Sequence, residues 1–302
     1  MPSLISAMLR QQIRLFKPIL TNFSTTASRN LQEALGELGA KALGDKVEFR
    51  EFHIGAVPAA LAVPVKPQPG DQRVVLYLHG GGYVAGSIKY AKGFAGVLAA
   101  KAGLRVLCIA YRLAPENPFP AALEDALSAY EYLLAEGCAP ENIFLIGESA
   151  GGGLLFSLCL LLKSLGRPLP GRLVALSPWT DLSLSGESYR TKRKEDPCLS
   201  MKEIEGFVHA YAPPELRDPL ASPLFGALSG LPPCRIYVGE DELLLDDSRL
   251  MAEKLLSAGV ECRLHVEPGL WHAYVLYGVP EANAALEEIK VFFEEGFHGK
   301  TS

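Results

Sequence analysis

The chain has 302 residues, of which 49% are hydrophobic and 21% are charged, and its net charge is −5. This length suits one large domain or two small ones, and the composition is that of an ordinary globular protein. The acidic balance excludes the basic surface that nucleic acids require, and no apolar run approaches the roughly 18 residues of a membrane-spanning helix. We therefore expect neither a nucleic-acid partner nor stable insertion into a membrane.

The first thirty residues are unusual because they contain basic residues but no acidic one. The basic residues are Arg10, Arg14, Lys17 and Arg29. Organelle transit peptides share this composition, but Leu4, Met8 and Ile13 can lie on one helical face here, which favours an amphipathic helix. We predict helices over 3–17 and 29–43, and a targeting role of this segment stays open.

Short apolar strands follow, and most of them alternate with helices. The predicted strands are Val47–Ile54, Ala60–Val65, Arg73–Leu78, Leu104–Ala110, Ile143–Ile146, Arg172–Leu176, Arg235–Val238 and Glu261–Val266. The predicted helices are 90–102, 121–136, 151–165, 200–211, 243–258 and 281–295. Strands of continuous apolar character that alternate with helices predict an α/β fold with a mostly parallel sheet covered on both faces.

One connection is too long for a simple crossover. About sixty proline-rich residues separate the strand at 172–176 from the strand at 235–238. We interpret them as an insertion above the carboxyl ends of the strands, where ligands bind in open α/β sheets.

The sequence GESAG over 147–151 is a G-x-S-x-G motif between a predicted strand and a predicted helix. In this setting Ser149 lies at the tip of a sharp turn with its hydroxyl exposed, above a helix N-terminus that favours developing negative charge. Glycine is needed on both sides because a side chain there would clash within the turn. A turn that only caps a helix would look similar, but the strand and helix context favours a nucleophile.

A serine nucleophile needs a base, and the base needs an orienting acid. After this type of turn the acid comes before the histidine along the chain, and each follows a strand. The strand at 235–238 leads to Asp241, which we predict as the acid. Its rivals are Glu240, which would point to the opposite side if strand alternation continued, and Asp246 and Asp247, which lie on the next predicted helix.

The strand at 261–266 leads to His272, which we predict as the general base. His265 lies within that strand and is better interpreted as a core or edge residue, and His298 lies in a polar tail. The other candidate histidines precede the acid, so their order does not fit. The alternative for His272 is a loop histidine without a role.

The sequence HGGGY over 79–83 follows another predicted strand. Acyl transfer needs donors aimed at the oxyanion of the tetrahedral intermediate, and consecutive glycines let backbone amides approach it freely. We predict the amides of Gly81, Gly82 and Ala150 as these donors. His79 is predicted to pin the loop through ring hydrogen bonds. A phosphate loop is disfavoured because no G-K-[ST] follows.

Three ordered motifs together resemble the hormone-sensitive lipase family of α/β-hydrolase carboxylesterases, of the bacterial family IV type. They are HGGG at 79–82, YRLAPE at 111–116 with PFPAA at 118–122, and GESAGG at 147–152. The resemblance covers about 45–298. It implies the α/β-hydrolase fold, with eight mainly parallel strands and a helical cap, and hydrolysis of short- to medium-chain acyl esters without a cofactor.

The resemblance also implies a division of the chain. The catalytic domain would comprise 46–182 and 231–302, and the cap would comprise the helices of 1–45 and the insertion at 183–230. We expect apolar alcohol and acyl pockets between them. The candidate lining residues are Tyr83, Trp179, Phe207 and Leu270.

The chain departs from the family pattern at three places beside the predicted site. Glu148 stands before the serine where Asp is common, Glu242 follows the predicted acid where Pro is usual, and Ala273 follows the histidine where Gly is common. These positions border the pocket, so they leave the substrate preference open.

Several alternatives remain. The six cysteines form no C-x-x-C or other metal-ligand spacing, so we expect reduced thiols, a cytoplasmic location and no metal. The same triad could cleave amides, and a receptor on the same fold is a further alternative. Long-chain lipase activity is disfavoured because no extended apolar surface segment is evident. The sequence leaves homo-oligomer formation open.

Overall fold

The computed structural model describes residues 2–20, 24–67 and 70–295. The strands in this part of the chain are β1 (Val47–Ile54), β2 (Val57–Pro64), β3 (Val74–Leu78), β4 (Arg105–Ile109), β5 (Ile143–Glu148), β6 (Arg172–Leu176), β7 (Cys234–Gly239) and β8 (Cys262–Glu267). The α-helices are α1 (Leu4–Leu20), α2 (Thr25–Ala42), α3 (Ile88–Ala102), α4 (Ala121–Ala135), α5 (Ala150–Ser164), α6 (Ser188–Thr191), α7 (Met201–Tyr211), α8 (Leu245–Ser257) and α9 (Pro280–Glu294).

The eight strands form one sheet in the order β1-β2-β4-β3-β5-β6-β7-β8. The pairings of β2 with β1 and β4 are antiparallel, and the pairings from β4 to β8 are parallel. The α/β-hydrolase fold with an eight-stranded, mostly parallel sheet is therefore confirmed. Since parallel strands end at the same edge, the loops after β3, β5, β7 and β8 leave the sheet on one side.

Each face of the sheet carries its own hydrophobic core. Leu76 of β3 belongs to the cluster on the side of α4, α5 and α8, and its neighbours Val75 and Tyr77 belong to the cluster on the side of α3 and α9. This alternation follows from the two-residue period of a strand. A core on both faces explains why the central strands are continuous apolar runs.

Most element boundaries differ from the predicted ones by one to three residues, and α2 and β2 begin four and three residues earlier than predicted. Helix α2 begins at Thr25 because the side chain of Ser24 accepts a hydrogen bond from the amide of Ala27 and caps the helix. Strand β2 begins at Val57, which pairs with Ile54 across a two-residue turn. The short helix α6 was not predicted.

The N-terminal helices pack on the side of α3 and α9. Leu9 and Ile13 of α1 contact that core cluster. Helix α2 crosses α3 where the backbones of Gly36 and Gly93 nearly touch, and a Cβ on Gly36 would overlap the backbone at Tyr90. None of the described helices is long and apolar enough to cross a bilayer.

Candidate active site

Ser149 lies at the tip of the turn between β5 and α5, as predicted from the G-x-S-x-G motif. Its φ of 55° and ψ of −122° are a strained conformation for a residue with a side chain. The amide of Ser149 donates to the carbonyl of Leu176 on the adjacent strand, 2.9 Å away, which holds the turn in place. A Cβ on Gly147 would overlap the backbone of Gly151, so glycine is required there.

His272 follows β8 and contacts a carboxylate, but the carboxylate is that of Glu242. Nδ1 of His272 lies 3.0 Å from Oε1 of Glu242, and both side chains are buried. The other carboxylate oxygen of Glu242 accepts the amide of Gly239 at 2.8 Å and the hydroxyl of Ser177 at 2.7 Å. Ser177 in turn accepts the amide of Ala273, beside the histidine, at 2.9 Å. This network fixes both members of the pair.

The prediction of Asp241 as the partner of His272 is therefore wrong. The carboxylate of Asp241 lies 2.8 Å from Arg10 of α1 and 3.1 Å from Lys192 of the insertion. Strand alternation, on which the prediction depended, ends at Gly239. There the chain passes so close to Leu270 that a Cβ would overlap its backbone. The available sequence signal was Glu242 itself, a further carboxylate directly after Asp241.

The electrostatic surroundings favour protonation of His272. Burial alone would lower the pKa of His272, but the Glu242 carboxylate, together with Asp196, raises it above its usual value. Asp196 lies in the insertion, and burial raises its pKa to about 6. Its carboxylate accepts the amide of Leu243, next to Glu242, at 2.9 Å. The insertion thus contributes a carboxylate that raises the pKa of His272 and a hydrogen bond that positions the loop of Glu242.

The loop after β3 has the geometry expected of an oxyanion loop. Gly81 and Gly82 have φ angles of 106° and 61°, a region that favours glycine. A Cβ on Gly82 would overlap the ring of Phe207 on α7, and a Cβ on Gly81 would overlap the carbonyl of Ala85. Only glycine fits at these two positions.

His79 and Glu148 hold this loop through hydrogen bonds to Gly80. The ring of His79 lies 2.7 Å from the carbonyl of Gly80 and stacks on Tyr111, and burial lowers the pKa of His79 to about 4. The amide of Gly80 donates to Glu148 at 2.6 Å, and the hydroxyl of Tyr90 donates to the same oxygen at 3.0 Å. Burial raises the pKa of Glu148 to about 7. Glu148, which directly precedes Ser149, thus tethers the glycine-rich loop after β3 to the Ser149 turn.

Three of the four predicted lining residues form an aromatic group beside this loop. The ring of Trp179 lies 6.1 Å from Tyr83 and 6.4 Å from Phe207. Tyr211 of α7, which was not predicted, stacks on Tyr83 at 3.7 Å. Leu270 is instead fully buried in the core cluster on the side of α3 and α9. Its prediction as a lining residue is wrong because its side chain packs in that core and not beside Tyr83, Trp179 and Phe207.

Arg10 of α1 connects three loops around the site. Besides Asp241, its guanidinium donates to the carbonyl of Gly269 at 3.1 Å and to that of Glu195 at 3.3 Å. These three partners lie in the loop that carries Glu242, the loop that carries His272 and the insertion. One side chain therefore ties the N-terminal helix to both members of the buried pair.

The described residues contain no group of three or more His, Cys, Asp or Glu side chains that could hold a metal ion. The Ser149 turn, the His272–Glu242 pair and the glycine-rich loop after β3 lie at the same edge of the sheet. A serine, a histidine–carboxylate pair and a row of backbone amides at one edge suit acyl transfer.

Comparison with known proteins identifies relatives of this chain. Residues 75–276 match the family model described as the alpha/beta hydrolase fold. An acetyl-hydrolase from Streptomyces hygroscopicus is 39% identical over 264 residues, which cover 86% of this chain and 85% of the relative. An ethyl acetate hydrolase from Pseudomonas putida is 33% identical over 241 residues, 76% of each chain. A solved esterase of the bacterial hormone-sensitive lipase family superposes with a TM-score of 0.90 at 37% identity, over 97% of this chain and 98% of the other.

Proposed function

Because the chain belongs to the hormone-sensitive lipase family of α/β-hydrolases and is a carboxylic ester hydrolase, we propose that it cleaves short- to medium-chain acyl esters through an acyl-enzyme on Ser149. The observation that carries the proposal is the 3.0 Å contact between His272 and Glu242 on loops that leave the same sheet edge as the Ser149 turn. A neutral histidine oriented by a buried carboxylate is the base that a serine nucleophile requires.

The reaction proceeds in two halves. In the first, Nε2 of His272 takes the proton of Ser149 while Oγ bonds to the carbonyl carbon, and the proton then passes to the departing alcohol. In the second, water loses a proton to the same nitrogen and attacks the acyl-enzyme, and the proton returns to Ser149. Glu242 accepts the Nδ1 proton of His272 in hydrogen bonding throughout, which fixes the tautomer and stabilises the imidazolium.

The developing oxyanion is stabilised by backbone amides. We assign this role to Gly81, Gly82 and Ala150, the residues predicted from the two glycine-rich motifs. The support is the positive φ of Gly81 and Gly82 and the place of Ala150 at the first position of α5, where the helix dipole favours negative charge.

The proposed acyl preference depends on the cap. We assign the cap to 1–45 and 183–230, whose α7 places Phe207 directly against Gly82. We propose that the aromatic group of Tyr83, Trp179 and Phe207, which lies beside the loop of Gly82, restricts the acyl pocket to small groups. The relatives named for acetyl and ethyl acetate hydrolysis support the same preference.

The location and competing activities belong to the same proposal. Six free cysteines, three of them buried, suit the reducing cytoplasm.

Amide hydrolysis is disfavoured because no identified group recognises a leaving amine. A receptor role is disfavoured because the chain retains a candidate nucleophile, base and acid in Ser149, His272 and Glu242.

A panel of chromogenic esters of increasing acyl length, with Ser149→Ala as the blank, tests the proposal. We expect a sharp decrease in kcat/KM beyond medium chains and loss of several orders of magnitude in the variant. Equal rates out to long chains would overturn the acyl preference, and near wild-type rates of the variant would overturn the mechanism. Paired ester and amide substrates separate esterase from amidase activity.

A further inference from the structure

Helix α1 exposes a large apolar surface that the catalytic proposal does not use. Six of its side chains are between 54% and 84% exposed: Leu4, Ile5, Met8, Leu15, Phe16 and Ile19. At 3.6 residues per turn, these six positions fall within an arc of about 120° on a helix roughly 25 Å long. The same arc contains one exposed polar side chain, that of Gln12. We call this surface the apolar face of α1.

The rest of the molecule fixes the direction of this face. On the opposite side, Leu9 and Ile13 pack on the core, and the Ser6 hydroxyl donates to Glu281 at 2.6 Å. Arg10 donates to the carbonyl of Gly269, and Lys17 to the carbonyl of Asp196. An amphipathic helix normally turns its apolar side to the core. Here the basic side binds the body and the apolar side faces outward.

This surface is unlike the scattered apolar residues found on any protein. Of the fifteen large hydrophobic side chains that are exposed among the described residues, nine belong to α1 and α2. Isolated exposed leucines are ordinary, but a contiguous apolar patch marks an interaction site. The expectation that the chain lacks an apolar surface segment suited to lipid is therefore wrong.

The charge around the apolar face identifies its partner. The chain as a whole has a net charge of −5, yet its first acidic residue is Glu33. Arg14 is exposed on α1, and its guanidinium donates to the carbonyl of Lys194, itself exposed beside it. An apolar face with basic residues around it is typical of helices that lie in the interface of anionic bilayers.

We infer that α1 docks this protein on the surface of anionic lipid, with its axis in the plane of the interface. A second copy of the chain is a poorer partner, because a symmetric contact would bring two acid-free basic helices together. Docking would also orient the site. Arg10 ties α1 to the loops that carry Glu242 and His272, so both loops would lie near the lipid surface, where amphiphilic esters accumulate.

Vesicle flotation of the full chain tests the inference. We expect binding to phosphatidylglycerol–phosphatidylcholine vesicles, at least about tenfold weaker binding to pure phosphatidylcholine, and a similar loss in high salt. The double variant Met8→Gln/Leu15→Gln keeps the charge and should reduce partitioning at least about tenfold. The matched control is Leu250→Gln/Leu256→Gln, which replaces two exposed leucines of α8 and should bind like the wild type.

The outcomes are distinct. Absence of binding to anionic vesicles, or equal loss in both double variants, would overturn the inference. A concentration-dependent dimer in light scattering that only Met8→Gln/Leu15→Gln abolishes, without vesicle binding, would assign the face to a second copy. Flotation needs no substrate, so it measures docking independently of ester hydrolysis. Failure of docking is thus separable from failure of the esterase proposal.

Discussion

Glu242 accepts a hydrogen bond from Nδ1–H of His272 over 3.0 Å, although the sequence favoured the residue directly before it, Asp241, as the acid. The two neighbouring carboxylates have different surroundings. Glu242 is fully buried among hydrogen-bond donors, while Asp241 forms ion pairs with Arg10 and Lys192. Glu242 therefore orients His272, whereas Asp241 holds α1 and the insertion to the catalytic loops.

Glu242→Gln should reduce kcat by about three to four orders of magnitude, because the amide cannot hold the required tautomer or stabilise the imidazolium. Asp241→Asn is the matched control, one residue away, and should lower kcat less than about tenfold. Steady-state kinetics on a chromogenic acetyl ester measure both. The reverse ranking would return the acid role to Asp241.

The pH dependence follows from the raised pKa of His272. The base must be neutral, so kcat/KM should decrease as the pH falls through that raised pKa. In Glu242→Gln the attraction that stabilises the imidazolium is lost while burial remains. The acidic limb of the residual activity should therefore move to lower pH. If the acidic limb of Glu242→Gln stayed at the wild-type pH, the pairing of Glu242 with His272 would be contradicted.

Glu148→Gln should affect stability differently at different pH. Because burial raises the pKa of Glu148 to about 7, the folded protein retains a proton that the unfolded chain releases from about pH 4.5 upward. The stability from this carboxyl is complete below its unfolded pKa and is lost as the pH rises through about 7. The variant should thus gain Tm relative to the wild type at pH 8 and not at pH 4. Equal Tm differences at both values would count against this assignment.

Gly82→Ala should lower kcat/KM at least about tenfold. The new Cβ would meet the ring of Phe207, and the φ of 61° is strained for alanine by about 1 kcal/mol. The control is Gly206→Ala on α7, where nothing lies within 4 Å and helix propensity favours alanine. Circular dichroism verifies that both variants fold. Unchanged kinetics in Gly82→Ala would remove this loop from the mechanism.

Arg10→Ala should lower kcat several-fold with a water-soluble ester, because it releases the loops of Glu242 and His272 from each other and from α1. Arg14→Ala, on the same helix, removes a single bond to the carbonyl of Lys194 and should leave kcat unchanged. If both variants behave alike, the effect comes from α1 as a whole and not from the contacts of Arg10.

The sequence predicts those parts of the site that local patterns determine. Ser149 and His272 follow apolar strands in a fixed order, and the glycines that flank the serine are required by the turn itself. Glu242 could not be chosen over Asp241 because strand alternation carries no information beyond Gly239, where the loop meets Leu270. Leu270 was misassigned because its packing in the core beside α3 and α9 depends on long-range contacts.

Long-range contacts account for the other differences between the sequence-based predictions and the structure. The periodicity of α1 predicts an amphipathic helix but not which side faces the body, because that depends on carbonyls such as that of Gly269, far along the chain. The stacking of Tyr211 on Tyr83 likewise joins two distant segments. Whether 1–45 and 183–230 act as one cap stays a prediction.

Intact-protein mass spectrometry after treatment with an organophosphonate ester tests the central claim most directly. The account predicts a single phosphonyl adduct, located on Ser149 by peptide mapping, with loss of esterase activity in proportion to labelling. Ser149→Ala should remain unlabelled, and Glu242→Gln should label far more slowly than Asp241→Asn. Stoichiometric labelling of another residue, or full activity in the Ser149-labelled protein, would contradict it.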